Sequence, residues 1–468
     1  MSARLAVPPS PVPLENFAAR FDHLLSRRNQ RESFRRYLEG LLLGQERNKT
    51  LTALANAEPV VGALHASVQS LQWFLSESSW EAAALNACRK RLLLDNALTA
   101  PTRQGALVID ETGDRKEGKK TAHVGRQYLG SVGKVDNGVV SVTSLYADER
   151  LYYPLEVEPY TPAPWFEKGK NDPAFRTKPQ IALELVEREV AAGMPFKAVV
   201  ADSLYGENDA FRSGLAQRQG GPIGFVLALQ RSHCWWHREG DIGCLLEAAQ
   251  QAGWQSVQQP GQWEPALRTF ADGHQEIWWA LEVLAGPYGG GQRLRAVVAT
   301  TDPEQLPEIS TWFLTTNLPT PDSKQSAPSP LPCADLAEVV RLYGLRNWVE
   351  QSYKQVKQAL GWAQYQVRSD AAMRRHWTLV MCAFSFVWCS GTPHRGPVPL
   401  AQDTATDAMT PLEDSKTAGR GKNQCLLEAA SVRLTRLLAG GFAGGALLVG
   451  ALDPAGAYLE GMERSAAP

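Results

Sequence analysis

The sequence is poor in three things, and each shortage narrows the field. Its seven cysteines are scattered over 468 residues with no Cys-x-x-Cys pair. That argues against a disulfide framework, and with no secretory signal in view it predicts a reducing cytoplasm. Long apolar runs are also missing. Leu437–Leu452 is uncharged but only 16 residues long with five glycines, short of the ~18–20 apolar residues of a membrane span, and no membrane partner is expected. Net charge is the third shortage: 48 Lys and Arg against 49 Asp and Glu give −1, so any surface for a polyanion has to be local. What remains is a globular composition, 44% hydrophobic and 21% charged, in a chain long enough for roughly two to four domains.

The most informative stretch is Tyr343-x-x-Arg346-x-x-x-Glu350, followed by Lys357. No Gly or Pro falls between Leu345 and Leu360, which predicts a helix. At 100° per residue, Tyr343, Arg346 and Lys357 lie near about +20°, −40° and −20° from Glu350, so one acid, two cations and a phenol share a stripe of about 60°. Leu342, Leu345, Val349, Val356 and Leu360 fall on a second, apolar stripe that would pack on a core. Mixed charge on a helix is commonly a solvated face, and Arg346–Glu350 is an i, i+4 pair. Two further acids shift the balance.

Asp110 ends the apolar run Ala106-Leu-Val-Ile and precedes Glu-Thr-Gly; Asp202 ends Phe196-Lys-Ala-Val-Val-Ala and precedes Ser-Leu-Tyr-Gly. Each reads as a buried strand that delivers a carboxylate near its C-terminal end, where ligands gather in open α/β sheets. Either acid could instead be a turn residue or helix cap. Glu111 and Asp114 compete with Asp110, and Glu207 and Asp209 with Asp202. Three carboxylates brought to one point would suit hard, oxygen-seeking Mg²⁺. Two such ions activate an attacking oxygen and stabilise the leaving one in displacement at phosphorus.

These residues carry a family resemblance. The chain resembles the DDE transposases of bacterial insertion sequences that bear the YREK signature, with Tyr343, Arg346, Glu350 and Lys357 at the signature positions and Asp110 and Asp202 at the two aspartates. The segments Gly125–Asn137 and Phe175–Leu185 look like family blocks, and the resemblance spans about residues 15 to 390. Glu111 departs from it, since related sequences often have a second Asp there. The resemblance implies an RNase H-like α/β fold: a mixed sheet with flanking helices, a β-rich insertion before the last catalytic helix and an α-helical N-terminal domain. It implies that Asp110, Asp202 and Glu350 hold two Mg²⁺ ions, with Mn²⁺ as a substitute, while Arg346 and Lys357 clamp phosphates and Tyr343 contacts the backbone or a displaced base. It implies cut-and-paste transposition in a bacterial, nucleoid-associated setting. The protein would bind terminal inverted repeats, free a 3′-hydroxyl by water attack, pass through a hairpin and join target DNA, as a homodimer in the synaptic complex with double-stranded DNA.

The order of strand-like and helical runs agrees. Strands are predicted at 106–110, 138–146 and 151–157, a helix at Ile181–Ala192, the Asp202 strand, a helix at Asp209–Gln217 and a strand at Ile223–Leu229. The predicted domains are a helical N-terminal DNA-binding or accessory domain at 1–98, a catalytic domain at 99–231 and 334–392, a β-rich insertion at 232–333, and a linker with a helical tail at 393–468. The insertion has strand-like runs at Glu276–Val283, Leu294–Thr300 and Thr311–Thr315. Pro8–Pro13 reads as a disordered arm.

Local basic clusters supply the missing footprint. Residues 1–98 hold 12 Lys and Arg against 9 acids. Arg27, Arg28, Arg31 and Arg35 crowd one predicted helix there, with no clean helix-turn-helix pattern around them. A second cluster, with Lys119, Lys120 and Arg126, follows the first acid. Both are predicted to meet phosphates, though each could be a solvated face. His233, Cys234, His237 and Cys244 match no standard zinc spacing and read as a packed loop. Trp235 and Trp236 between them could stack on an unpaired base or fill the core. Two other functions use the same residues: an RNase H-like nuclease that never joins strands, and a domesticated, catalytically silent DNA-binding regulator.

Overall fold

The computed structural model describes residues 12–43, 48–58, 64–236, 242–270, 274–283, 294–308, 310–321 and 329–390. The tail after 390, His237 and the side chains of Cys234, Trp235 and Trp236 lie outside them.

The organising element is β1 (Ala106–Arg115). Its Ala-Leu-Val-Ile start is fully buried, as expected of a central strand covered on both faces. After it come β2 (Gly125–Leu129), β3 (Lys134–Ala147) and β4 (Tyr152–Tyr160), then helix α6 (Lys178–Ala191), β5 (Ala198–Ala201), the short helix α7 (Ser203–Gly206), α8 (Asp209–Ala216) and β6 (Phe225–Ala228). β3 pairs antiparallel with β1 on one side and with β2 and β4 on the other, while β5 and β6 continue parallel to β1. The expected strands are present, but β1 runs on past the predicted 106–110 to Arg115 because β3 pairs with it throughout, so Asp110 lies at mid-strand and not at the strand's exit. β2 is additional: its alternation is short and its apolar residues few.

The region before β1 is helical: α1 (Val12–Ala18), α2 (Arg28–Leu42), α3 (Leu51–Leu54), α4 (Ala66–Ser76) and α5 (Ala82–Asp95). α1 takes up Pro13, the end of the segment predicted to be a disordered arm; Pro8–Pro11 lie outside the described residues. Pro near a helix start is tolerated because the N–H it lacks would have no partner there.

Beyond β6 the chain forms the small hairpin β7 (Cys234–Trp236) and β8 (Ile242–Cys244), then α9 (Leu245–Gln250), β9 (Glu264–Thr269), β10 (Gln275–Val283), β11 (Arg295–Thr300) and β12 (Trp312–Thr316). β12 pairs antiparallel with β6, and β11, β10 and β9 follow outward. The central sheet thus runs on into this β-rich stretch, ten strands in all among the described residues.

Three helices close the described chain: α10 (Leu336–Gly344), α11 (Asn347–Gln358) and α12 (Asp370–Ser390). The uninterrupted helix expected across Tyr343 to Lys357 is broken. α10 stops at Gly344, and Leu345 and Arg346 form a tighter turn with i→i−3 bonds from Arg346 to Tyr343 and from Val349 to Arg346. A Cβ on Gly344 would lie 2.5 Å from the Arg268 guanidinium, so the tip of that side chain fills the space beside the glycine. The tighter turn changes the angular step, and the single 100° progression does not carry through the motif.

α12 is buried nearly all round, with Trp377, Cys382 and Phe384 inside, and packs on α2, α4, α5 and β4. Buried arginines join these layers. Arg89 donates to the Pro154 and Leu155 carbonyls and to Ser385 Oγ at 2.7–2.9 Å. Arg375 bonds the Leu75 carbonyl at 2.8 Å. Desolvation lowers the pKa of both groups, and bonds from a buried guanidinium to carbonyls offset part of that cost.

Candidate active site

Strand register brings two of the predicted acids together. β1 and β5 pair in parallel up to Ile109↔Ala201, so Asp110 and Asp202 are the next residues on neighbouring strands, which run about 4.8 Å apart. Asp110 is 7% exposed; Asp202 caps α7 by accepting from Leu204 N at 3.0 Å. Arg346 joins them, its Nη2 lying 2.8 Å from Asp110 Oδ2 and 3.8 Å from Asp202 Oδ2.

Alternation sorts the competing acids. Asp110, Thr112 and Asp114 lie on one face of β1 and Glu111 on the other. α11 covers the Asp110 face: Tyr353 bonds the hydroxyl of Thr143, the residue opposite Asp110, and Thr143 donates to the Asp110 carbonyl at 3.3 Å. Lys357 Nζ lies 3.1 Å from Asp114 Oδ1 and donates to Gly113 O at 2.8 Å. Glu111 instead pairs with Lys178 of α6 at 2.6 Å. α6 is anchored at that end by a capping box between Thr177 and Gln180, a motif in which the cap alone contributes about 1 kcal/mol. Glu207 receives His233 Nδ1 at 2.7 Å, and Asp209 is tied to Arg212.

The electrostatics follow from this packing. Burial pushes the Asp110 carboxyl up to about 6; Arg346 opposes the rise and Asp202 adds to it. Burial lowers the Arg346 pKa, yet Asp110, Tyr343, Asp202 and Glu350 together leave it raised. The Tyr343 phenol is pushed up to about 12 by burial; among its neighbours Arg346 acts against the rise, and Asp202, Asp110 and Glu350 add to it. Tyr343 packs edge-on to Trp312 at 4.9 Å. Glu350 sits exposed in the first turn of α11 and reaches this centre through its charge on Arg346 and Tyr343. Among the described residues no group of three acid, His or Cys side chains is close enough to hold an ion. The predicted triad is therefore two adjacent aspartates plus a glutamate at its rim, with the Arg346 guanidinium against the aspartates. The donor set still fits a hard cation, being all carboxylate and more negative than Arg346 alone can neutralise.

The predicted phosphate contacts divide. Lys119, Lys120 and Arg126 are exposed. Arg27 is exposed, with its guanidinium 5.8 Å from the Trp73 ring centre. Arg28 pairs with Glu32 at 2.6 Å, and Arg31 donates to the Leu25 carbonyl at 2.9 Å. Arg35 is turned inward: it is 7% exposed and holds Glu15 and Asp22 at 2.6 and 2.8 Å. Crowding on a helix could not show which arginine pointed at the core. Tyr353, Thr143 and Lys178 were not singled out in advance. The signals were available: Tyr353 one turn after Glu350, and Lys178 inside the Phe175–Leu185 block.

Comparison with known proteins defines the class. Residues 20–238 match the model of the DDE superfamily endonucleases, a span that includes Asp110 and Asp202 and stops before Glu350. A probable transposase for insertion sequence element IS701 from Microchaete diplosiphon is 33% identical over 337 residues, 72% of this chain and 77% of that protein. The chain belongs to this family of insertion-sequence DDE proteins.

Proposed function

We propose that the protein is a DNA transposase that binds the terminal inverted repeats of its own element, cleaves at the ends and joins the 3′ ends to target DNA. The observation that carries the reading is the parallel register that sets Asp110 beside Asp202, with Arg346 across both. The sheet order β4-β3-β1-β5-β6, antiparallel then parallel around β1, supports the RNase H-like assignment, and the likeness to a transposase supports DNA as substrate.

In this mechanism Asp110 and Asp202, with Glu350 drawn in from the rim, would hold divalent metal. Two Mg²⁺ ions, or Mn²⁺ in their place, would supply Lewis acidity for displacement at phosphorus. Thr143 and Tyr353 fix the backbone at Asp110, so its carboxylate keeps its place while charge builds nearby. Arg346, now against the two aspartates, would turn its planar fork to a phosphate oxygen of bound DNA. Tyr343, held edge-on by Trp312, borders the same centre and supports the backbone there. Lys357 steadies the outer half of β1 through Gly113 and Asp114 and adds positive charge beside the DNA path. Two ends brought together require a homodimer in the synaptic complex.

The test is incubation of the purified chain with Mg²⁺ and labelled DNA bearing the repeats that flank its gene, with Glu350→Gln alongside. Metal-dependent nicking at the repeat boundary and strand-transfer products, both lost in the variant, are expected. Nicking without joined products reduces the reading to a nuclease. Binding without cleavage, equal in both proteins, replaces it with a regulator.

A further inference from the structure

The segment Arg115–Asp136 holds six Lys and Arg against two acids, Glu117 and Asp136, in a chain whose net charge is −1. Both acids contact Arg115, each at 3.3 Å. Lys119, Lys120, Arg126 and Lys134 are exposed and form no ion pair among the described residues. On the β2–β3 ribbon within this segment, Tyr128 is 56%, Val132 40% and Val135 53% exposed. Tyr128 and Val135 are direct cross-strand partners, so they share a face, and Arg126 lies on that face two residues before Tyr128.

The ribbon needs none of these side chains to hold its place. It is fastened by its other face, where Leu129 is fully buried. Cβ atoms added to Gly113 and Gly138 would lie 2.9 and 2.8 Å from the Leu129 methyls, so two glycines give Leu129 its seat. At the tip, Ser131 Oγ donates to Gly113 O at 2.9 Å, the carbonyl that Lys357 also binds. Gly113 is three residues from Asp110, roughly 10 Å along the strand, or about three nucleotide steps of duplex DNA.

We infer that the β2–β3 ribbon is a duplex-DNA contact next to the cleavage centre: Tyr128, Val132 and Val135 enter the major groove and Arg126 on their face holds a flanking phosphate, while Lys134, which starts from the Leu129 face at the ribbon's exposed tip, and Lys119 and Lys120 reach the phosphates alongside. The inference rests on the DNA reading of the site and adds to it where the duplex lies. A major groove about 12 Å wide admits a two-stranded ribbon, and apolar side chains there meet thymine methyls. Clustered positive charge selects a polyanion over a second copy of this nearly neutral chain.

The test is fluorescence anisotropy without metal, using a fluorescein-labelled duplex of arbitrary sequence several helical turns long and a KCl titration. Arg126→Gln/Lys134→Gln is compared with Arg91→Gln/Arg103→Gln, an equal charge change at exposed sites away from the ribbon. The ribbon pair should lower the slope of log K against log salt by about two, and the control pair should leave it unchanged. Tyr128→Ser should weaken binding about fivefold or more, about 1 kcal/mol, with its slope intact. Equal slopes for ribbon and control pairs, or full affinity in Tyr128→Ser, overturn the inference while wild-type binding leaves the DNA reading standing. A wild-type protein that binds no duplex overturns both. The changed residues are exposed, and unchanged circular-dichroism melts verify folding.

Discussion

Arg346 Nη2 lies 2.8 Å from Asp110 Oδ2 and 3.8 Å from Asp202 Oδ2, so one guanidinium holds together two carboxylates that would otherwise repel. A divalent ion drawn to the same carboxylates has to compete with it.

That competition can be measured as stability. Arg346→Ala should melt lower than wild type in EDTA, and its melting temperature should rise more on adding Mg²⁺, because a ligand that binds only the folded state stabilises it in proportion to its affinity there. Thermal melts with and without Mg²⁺ read both effects. Equal Mg²⁺ shifts in the two proteins would separate the arginine from the ion site.

Removing a carboxylate should affect chemistry far more than binding. Asp110→Asn, Asp202→Asn and Glu350→Gln are each expected to slow cleavage by at least about a thousandfold, roughly 4 kcal/mol of barrier. Duplex affinity should stay near wild type. A cleavage time course beside a gel-shift titration separates the two quantities, and wild-type cleavage in any one variant removes that residue from the mechanism.

Lys357 faces a buried partner, and its loss should appear in folding as well as in DNA binding. Asp114 is 3% exposed, and Lys357→Ala strips a direct ion pair from it. The expected cost is about 3 kcal/mol in urea denaturation, at the lower end for breaking a buried pair because Lys116 also lies close by. Lys357→Ala/Asp114→Asn should recover part of it, since the stranded charge is then gone. Strict additivity of the two single changes would mean that the pair is not coupled.

Acid should loosen the junction of β4, α6 and α12. Arg374, Arg176 and Arg188 surround Glu158 and hold its carboxyl down at about 2 against its burial. A depressed folded-state pKa gives stability that is full above the unfolded value near 4.5 and fades as pH falls towards 2. Glu158→Gln should therefore lose about 3 kcal/mol at neutral pH and show a smaller loss relative to wild type below pH ~4. Urea midpoints across that range provide the check.

The sequence by itself determined the local chemistry. The apolar runs before Asp110 and Asp202 specify strands that carry acids, because strand formation and burial depend on a few neighbouring side chains; Asp202 does follow the end of its strand, while pairing with β3 carries β1 on past Asp110 to Arg115. The basic surplus after β1 was equally legible, being a matter of composition. Tertiary structure decided what those groups face. Only the pairing of β1 with β5 puts Asp110 beside Asp202. Only the placement of α11 and α6 on opposite faces gives Asp114 to Lys357 and Glu111 to Lys178. Arg35 and Lys119 look alike as members of basic clusters, yet one is locked between Glu15 and Asp22 and the other is open to solvent. A charge's role depends on its partner, and when partners lie tens or hundreds of residues apart the fold selects them.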